Sequence, residues 1–320
     1  PRLFDKIGIN AENLRWMRMP DGMEVGGGGL QATTEDNLRL MKLYQDGGVW
    51  EGERILTADY VRLATSLQND SASEEKVNPP AKDNFLGYGF QIWMCRPKGV
   101  YRADGAMGQF TIVVPDKDLL IAITENAAGG HWAQTTLDVM WDFLDKIPNA
   151  ENMPENPTAA AALAARMQRL SLPNEPYAPF SPTAELVNGT QWHVNAGALV
   201  LGDRMRQFMT GAEPPAAVTG FGLRICEDTC TFVFRRGTEE LPLIAATDGT
   251  RRRNILDGAQ ALVSAAWTAP DTLLLTIRMI EGCFMQRLEY KFCGTQCTIS
   301  TLGTGTFGTP VPEAVTASRC

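Results

Sequence analysis

The sequence predicts an α+β architecture, an antiparallel sheet flanked by helices, followed by an all-β, barrel-like domain. Three observations predict it. Two strand-like runs, Gly108–Val114 and Leu119–Thr124, are joined by the short polar stretch Pro115-Asp116-Lys117-Asp118, which suits an antiparallel hairpin. Trp132 to Ile147 then repeats Leu137, Met140, Trp141, Leu144 and Ile147 at helical spacing. Beyond residue 182 the period shortens to strands separated by Gly and Asp turns. A hairpin ending in a long helix points to an antiparallel sheet covered by helices, not to a parallel nucleotide-binding sheet.

Each element has a local cause. Leu38, Met41 and Tyr44 share one face of a helix opened by Thr33 and Thr34, whose hydroxyls can cap free N–H groups, and Asp46-Gly47-Gly48 ends it. A shorter helix follows Thr57, with Tyr60, Val61, Ala64 and Leu67 inward. Asn69 to Asp83 is charged, serine-rich and holds Pro79-Pro80, so an exposed loop is expected there. Tyr88–Met94 reads as a strand. Pro148 to Pro157 marks a boundary, and an alanine-rich helix over Thr158 to Leu170 extends the connection. Strands are then expected at Gly189–Val194, Gly197–Leu201, Met205–Met209, Gly222–Ile225, Thr231–Arg235, Leu241–Ala245, Leu273–Ile280 and Phe284–Phe292. The domains expected are 1–148, a linker at 149–182, and the β domain at 183–320.

A chain of 320 residues with 44% hydrophobic residues can bury real cores, and a net charge of −8 argues against a nucleic-acid surface. The basic run Arg251-Arg252-Arg253 reads as a solvated turn. No stretch approaches the roughly 18 apolar residues of a membrane span. Pro1–Asn10 lacks the basic-then-apolar pattern of a signal peptide, and Pro1 as first residue suggests that an upstream segment is missing. The location is open between a reducing compartment, which the unpaired thiol count favours, and export with the signal lost upstream.

Seven cysteines, odd in number and loosely spaced, do not describe a disulfide scaffold. Cys226/Cys230 and Cys293/Cys297 lie in strand-like runs, where residues four apart stand roughly 13 Å from each other, and read as apolar filler rather than zinc ligands. His131 and His193, the two histidines, read as structural. The formal Ser-x-x-Lys match at Ser73 and Lys76 lies among acidic residues that cannot bury the lysine, so it reads as loop. Gly26 to Gly29 permits positive φ and close backbone approach, either as a tight turn or as the wall of a cleft. Trp192 and Trp267 are assigned to core packing. Tyr101 to Phe110 is the most informative stretch: the period of a strand puts Arg102 and Asp104 on one side, where they can pair, and the segment is either a turn or a ligand-contacting edge.

Leu3-Phe4-Asp5-Lys6-Ile7-Gly8-Ile9, Gly26 to Leu30 with Thr33, Leu43 to Trp50, Arg54-Ile55-Leu56 and Gly87-Tyr88-Gly89-Phe90 stand in order along the chain. In that order and spacing, Pro1 to about Ile147 resembles the C-terminal part of a serine hydrolase of the class C β-lactamase and penicillin-binding-protein-like family, and the later β region resembles accessory domains of such enzymes. The resemblance implies a partial β-lactamase-like fold, with Ala103-Asp104-Gly105 in place of the family's Lys-Thr-Gly or His-x-Gly. It implies Ala106 as a backbone oxyanion donor, with Arg102, Asp104, Gly105 and Tyr88 against the substrate. The nucleophilic serine and its lysine and tyrosine would lie before Pro1, so this chain alone would be inactive. The implied activity is acyl-enzyme hydrolysis of a small ester or amide, as part of an esterase or β-lactamase-like enzyme, without a cofactor. The implied partners are the upstream segment of the same domain and, through the β domain, a second copy. The alternative is a non-catalytic binding or interaction protein derived from such a hydrolase.

Overall fold

The structure, a computed structural model, describes residues 2–127, 132–148, 154–173, 181–202, 204–282, 284–302 and 313–320. The chain divides into two compact units, one of Pro1–Trp16 with Gly26–Arg169, the other of Met17–Val25 with Leu170–Cys320.

In the first unit, β1 (Arg15–Trp16) pairs with β2 (Leu30–Gln31), and α1 (Thr34–Gln45) follows. A capping box starts α1: the Thr33 hydroxyl accepts the Asp36 N–H at 3.1 Å while the Asp36 carboxylate accepts the Thr33 N–H at 3.0 Å. The glycines expected to end the helix do so, Gly48 adopting φ 87° and donating its N–H to the Leu43 carbonyl at 2.8 Å. A short hairpin, β3 (Val49–Trp50) and β4 (Glu53–Arg54), precedes α2 (Ala58–Ala64), which Thr57 caps, and α3 (Glu74–Val77). Four antiparallel strands come next, in spatial order β5 (Trp93–Met94), β6 (Tyr101–Gly105), β7 (Gln109–Val114) and β8 (Leu119–Ile123). Then come α4 (Trp132–Leu144) and the exposed helix α5 (Pro157–Met167).

Side chains alternate along a strand, so β7 presents two faces and both are buried. Phe110, Ile112 and Val114 pack with Leu137, Trp141 and Leu144 of α4, whereas Val113 packs with Met41 of α1, Ile92 and Tyr101. Of Tyr88–Met94, expected as a strand, only Trp93–Met94 forms one, as β5, and the two faces of β7 are covered by α1 and α4.

Asn69–Asp83 is not wholly the exposed loop its composition suggests. Asp83, in a 3-10 turn over Lys82–Phe85, is 0% exposed. Its carboxylate accepts the Arg96 N–H at 2.9 Å, Gln134 Nε2 at 2.6 Å and Trp141 Nε1 at 3.1 Å, and its own N–H donates to Gln134 Oε1 at 2.9 Å. These bonds tie the turn to α4 and to the segment after β5. No local sequence pattern announces such an anchor, because its partners lie 13, 51 and 58 residues away.

The second unit begins with α6 (Pro182–Val187) and continues with β9 (Gln191–Ala196), α7 (Arg204–Thr210), β10 (Gly220–Ile225), β11 (Thr229–Arg236) and β12 (Glu239–Ala246). Six further strands follow: β13 (Arg252–Leu256), β14 (Ala259–Ala269), β15 (Thr272–Met279), β16 (Met285–Cys293), β17 (Gln296–Leu302) and β18 (Val315–Arg319). Consecutive strands pair antiparallel except β12 with β13, β18 returns to pair with β9, and β12 meets β14 in parallel through Ala246 and Ser264. Nine strands thereby close into a barrel, with β13 turning off β14. Met205–Met209, expected as a strand, belongs to α7. There Gly211 N–H reaches the Gln207 carbonyl at 2.9 Å, because a five-residue mix of apolar and polar groups satisfies either period. Gly197–Leu201 is not a strand either, although Leu199 and Leu201 enter the core. The supposed turn at Arg251–Arg253 opens β13, with Arg252 paired to Asp228 at 2.6 Å and Arg251 bonded to the Pro173 carbonyl at 2.6 Å.

Replacing Asp83 by Ala orphans several buried donors at once and is expected to destabilise the first unit by about 3 kcal/mol. Asp138→Ala removes a half-exposed partner of Arg96 and one of two acceptors of Gln134 Nε2, which keeps Asp83, and should cost less than about 1 kcal/mol. Denaturant melts of the two variants test this, and equal costs would refute the anchoring role.

Candidate functional site

The residues expected to contact substrate are placed as follows. Arg102 on β6 is 0% exposed, its guanidinium 5.7 Å from the Trp93 ring centre and 5.8 Å from that of Phe110. Nε donates to Asp104 at 2.8 Å and Nη2 to Asn84 Oδ1 at 2.6 Å, and Nη1 reaches the Met94 carbonyl at 3.3 Å. Burial pushes the Asp104 carboxyl above its usual range, against the opposing pull of Arg102. Tyr88 stands edge-on to Trp93, ring centres 4.6 Å apart, and its hydroxyl is pushed up by burial and then by Asp104. Gly105 ends β6, where an added Cβ would lie 3.0 Å from that of Gln109. Ala106 is exposed in the hairpin turn, beside Met107 and Gly108 at φ 70° and 89°. The fold therefore brings Arg102, Asp104 and Tyr88 together and leaves Ala106 at the turn. Gly108 is needed there because a side chain would collide with the Glu125 carboxylate.

Acyl-enzyme chemistry needs a nucleophile bonded to a base. Among the described residues no serine hydroxyl is bonded to lysine, histidine or tyrosine. The Ser71 hydroxyl donates to the Asn84 carbonyl at 2.7 Å and that of Ser181 to the Pro270 carbonyl at 2.6 Å, both fixing backbone, and Ser73 caps α3 without a side-chain bond. His193 faces outward on β9, and His131 lies outside the described residues. Among the described residues, no three of His, Cys, Asp and Glu gather as a metal set. Cys230 and Cys297 are buried in the barrel, and burial pushes each thiol up to about 12, whereas Cys226 and Cys293 are exposed.

The barrel interior has a different character. Alternation sends Phe232 and Phe234 of β11, Leu241, Leu243 and Ala245 of β12, and Leu288, Tyr290 and Phe292 of β16 inward. Trp192 stacks on Phe221, ring centres 6.0 Å apart and planes 7° apart, and Tyr290 stands 5.3 Å from both Phe221 and Phe232. Tyr290 is 0% exposed, and its hydroxyl has no hydrogen-bond partner among the described residues. Burial raises its ionisation well above the ordinary tyrosine range, with the nearby Cys297 and Cys230 thiols adding to the effect. Gln286 donates Nε2 to the Val200 carbonyl at 2.8 Å, leaving its buried Oε1 unpaired among the described residues. Arg236, the one buried cation among the described residues of the barrel unit, is clasped by Asp257 at 2.6 and 3.1 Å and by Glu239 at 3.2 Å. None of these interior polar groups was singled out from the sequence. A Gln-x-x-x-Tyr spacing in a strand of alternating apolar residues was the available signal, and it is weak without knowing which face is enclosed.

The barrel has one weak joint. Between β12 and β14 a single residue pair, Ala246 with Ser264, closes the wall. Beside it the Asn254 side chain on β13 imitates a backbone, accepting the Ile244 N–H at 2.8 Å and donating to the Ile244 carbonyl at 2.9 Å. Pro242, in β12, sits in a strand that has a continuous ladder on one side only, where a residue without an N–H is tolerated. The structure thus defines a closed, antiparallel β-barrel with an apolar, aromatic interior, accompanied by a helix-covered four-stranded sheet.

No protein-family model and no curated protein matches the chain. Among solved structures, it is similar to As-p18, an extracellular fatty acid binding protein (14% identity, 42% of this chain and 96% of that one, TM-score 0.31). It is also similar to a Schistosoma mansoni fatty acid binding protein in complex with arachidonic acid (11%, 42% and 96%, TM-score 0.31). A third is the fatty-acid-binding protein from Manduca sexta (6%, 41% and 98%, TM-score 0.30). At such identities and scores the likeness carries no statement about ligand or activity.

These findings correct the resemblance to class C β-lactamase-like and penicillin-binding-protein-like hydrolases. The second unit closes into a nine-strand barrel, and among the described residues no serine hydroxyl is bonded to a base. The partial β-lactamase-like fold, the acyl-enzyme function, the hydrolase and esterase assignment and the missing partner segment are withdrawn together. The landmark glycines have local causes: a side chain at Gly89 would collide with the Ala64 carbonyl, and one at Gly48 with that of Leu56.

Two outcomes follow. Asn254→Ala should speed hydrogen exchange at the Ile244 amide by at least about tenfold while leaving amides of β16 protected; unchanged exchange would remove Asn254 from the seam. Under native conditions at pH 8, an alkylating reagent should modify Cys226, Cys293 and Cys320 but spare Cys95, Cys230 and Cys297 until denaturant is added, as peptide mass mapping would read. Fast native labelling of Cys230 would contradict the enclosed interior.

Proposed function

We propose that the chain is a non-catalytic binding protein and that its barrel, within a domain spanning residues 183–320, holds a small, largely apolar molecule. The single observation that supports this reading is a closed, aromatic-lined interior that nonetheless contains the Tyr290 hydroxyl without a described partner. A buried hydroxyl left unbonded costs about 1–3 kcal/mol, which a core selected only for stability would avoid by using phenylalanine. In this reading the Arg102–Asp104 pair with Tyr88 belongs to the scaffold, where Arg102 joins β6 to the turn at Asp83 and Asn84.

The interior rings have no exposure, so a ligand must displace them and reach the interior through a transient opening, for which the β12–β14 joint is the weakest part of the wall. The same lack of exposure favours a second reading, in which the barrel is a solid interaction module with no interior ligand. Titration of the full chain with twelve-carbon alkane, alcohol, ester and carboxylate probes, followed by tryptophan fluorescence and thermal shift, separates the two. Saturable binding of at least one probe, with a rise in melting temperature, is expected. No binding by any probe would overturn the proposal in favour of the solid module.

A further inference from the structure

The proposed interior site leaves the ligand's polar group undefined, and the charges around Tyr290 define it. Its ring spans the barrel from β16 toward β10 and β11, against Phe221 and Phe232, with Phe292 at 6.5 Å on its own strand. The hydroxyl is therefore enclosed by rings and by the neutral thiols of Cys230 and Cys297, both buried. A carboxylate brought to this point would lose its hydration and need a cation in exchange. The buried Arg236 keeps an unpartnered Nε among the described residues, but Asp257 and Glu239 already bind its guanidinium and leave that cluster net negative, so it offers no net positive charge. Gln286, four residues away on the same extended strand, offers no cation either, and its unpaired Oε1 is an acceptor.

We propose that the barrel interior selects an apolar molecule bearing a neutral hydrogen-bond acceptor, a ketone or ester oxygen that accepts the Tyr290 O–H, and discriminates against the matching carboxylate. The inference rests on the interior binding reading given above and sharpens it.

The test uses the full chain at pH 7.5 with three probes of equal length: dodecane, 2-dodecanone and dodecanoate. The ketone should bind about tenfold more tightly than either of the others, the factor that one recovered hydrogen bond supplies. Tyr290→Phe keeps the ring, should melt no lower than the parent, and should weaken the ketone by at least about tenfold relative to the alkane, because the buried ketone oxygen then has no donor. Should that variant fail to fold, the infrared carbonyl stretch of ¹³C-labelled ketone on the parent chain gives the answer. A shift below its frequency in hexane is expected. Dodecanoate binding as tightly as the ketone, a ketone advantage that survives Tyr290→Phe, or an unshifted stretch would overturn this inference alone. Failure of all three probes to bind would overturn the interior site itself.

Discussion

A β-strand sends alternate side chains to opposite faces, so a sheet with apolar residues must have its faces covered or must curl until one face encloses itself. This chain uses both solutions. In the first unit β7 is buried on both faces, and α1 and α4 supply the covers. In the second the strands have few helices to lie beneath, and they close through β18 with β9 and, more tenuously, β12 with β14. The rest of the architecture follows from that division, including the exposed helix α5, which neither core requires.

The buried polar groups separate the two units further. Arg102 and Asp83 are enclosed charges, yet carboxylate, amide, carbonyl and ring partners answer them, so their burial positions backbone instead of destabilising it. Arg236 is answered in part by Asp257, whose positive φ of 49° sits in the Asp257-Gly258 turn between β13 and β14, while its Nε has no described partner. Tyr290 and Gln286 are the contrast, each holding an atom without a described partner in a low-dielectric interior.

Much of the local structure was legible in the residues. The Thr33 cap and Asp46-Gly47-Gly48 stop delimit α1, Thr57 opens α2, and the polar connection at Pro115–Asp118 joins β7 to β8. The Arg102–Asp104 pairing also follows from the period of two. Other elements escaped. The strand character of 252–256 was hidden by its three arginines, although Asp257-Gly258 is a strong hairpin signal, and 259–269 was passed over despite its alternating apolar residues. The candidate interior site was almost wholly illegible, because Tyr290 lies among apolar residues that would look the same in a packed sheet.

Period, caps and turns are local properties, carried by residues a few positions apart, and they set where helices and strands begin, end and change face. Enclosure is not local. Whether alternating strands form an open sheet or a closed wall depends on pairings such as Ala246 with Ser264 and Thr316 with Ala196, the second spanning most of the barrel unit. Only when the wall closes does an inward tyrosine become enclosed with no described hydrogen-bond partner. The chemistry of the interior was decided by contacts between distant strands, which no short stretch of residues contains.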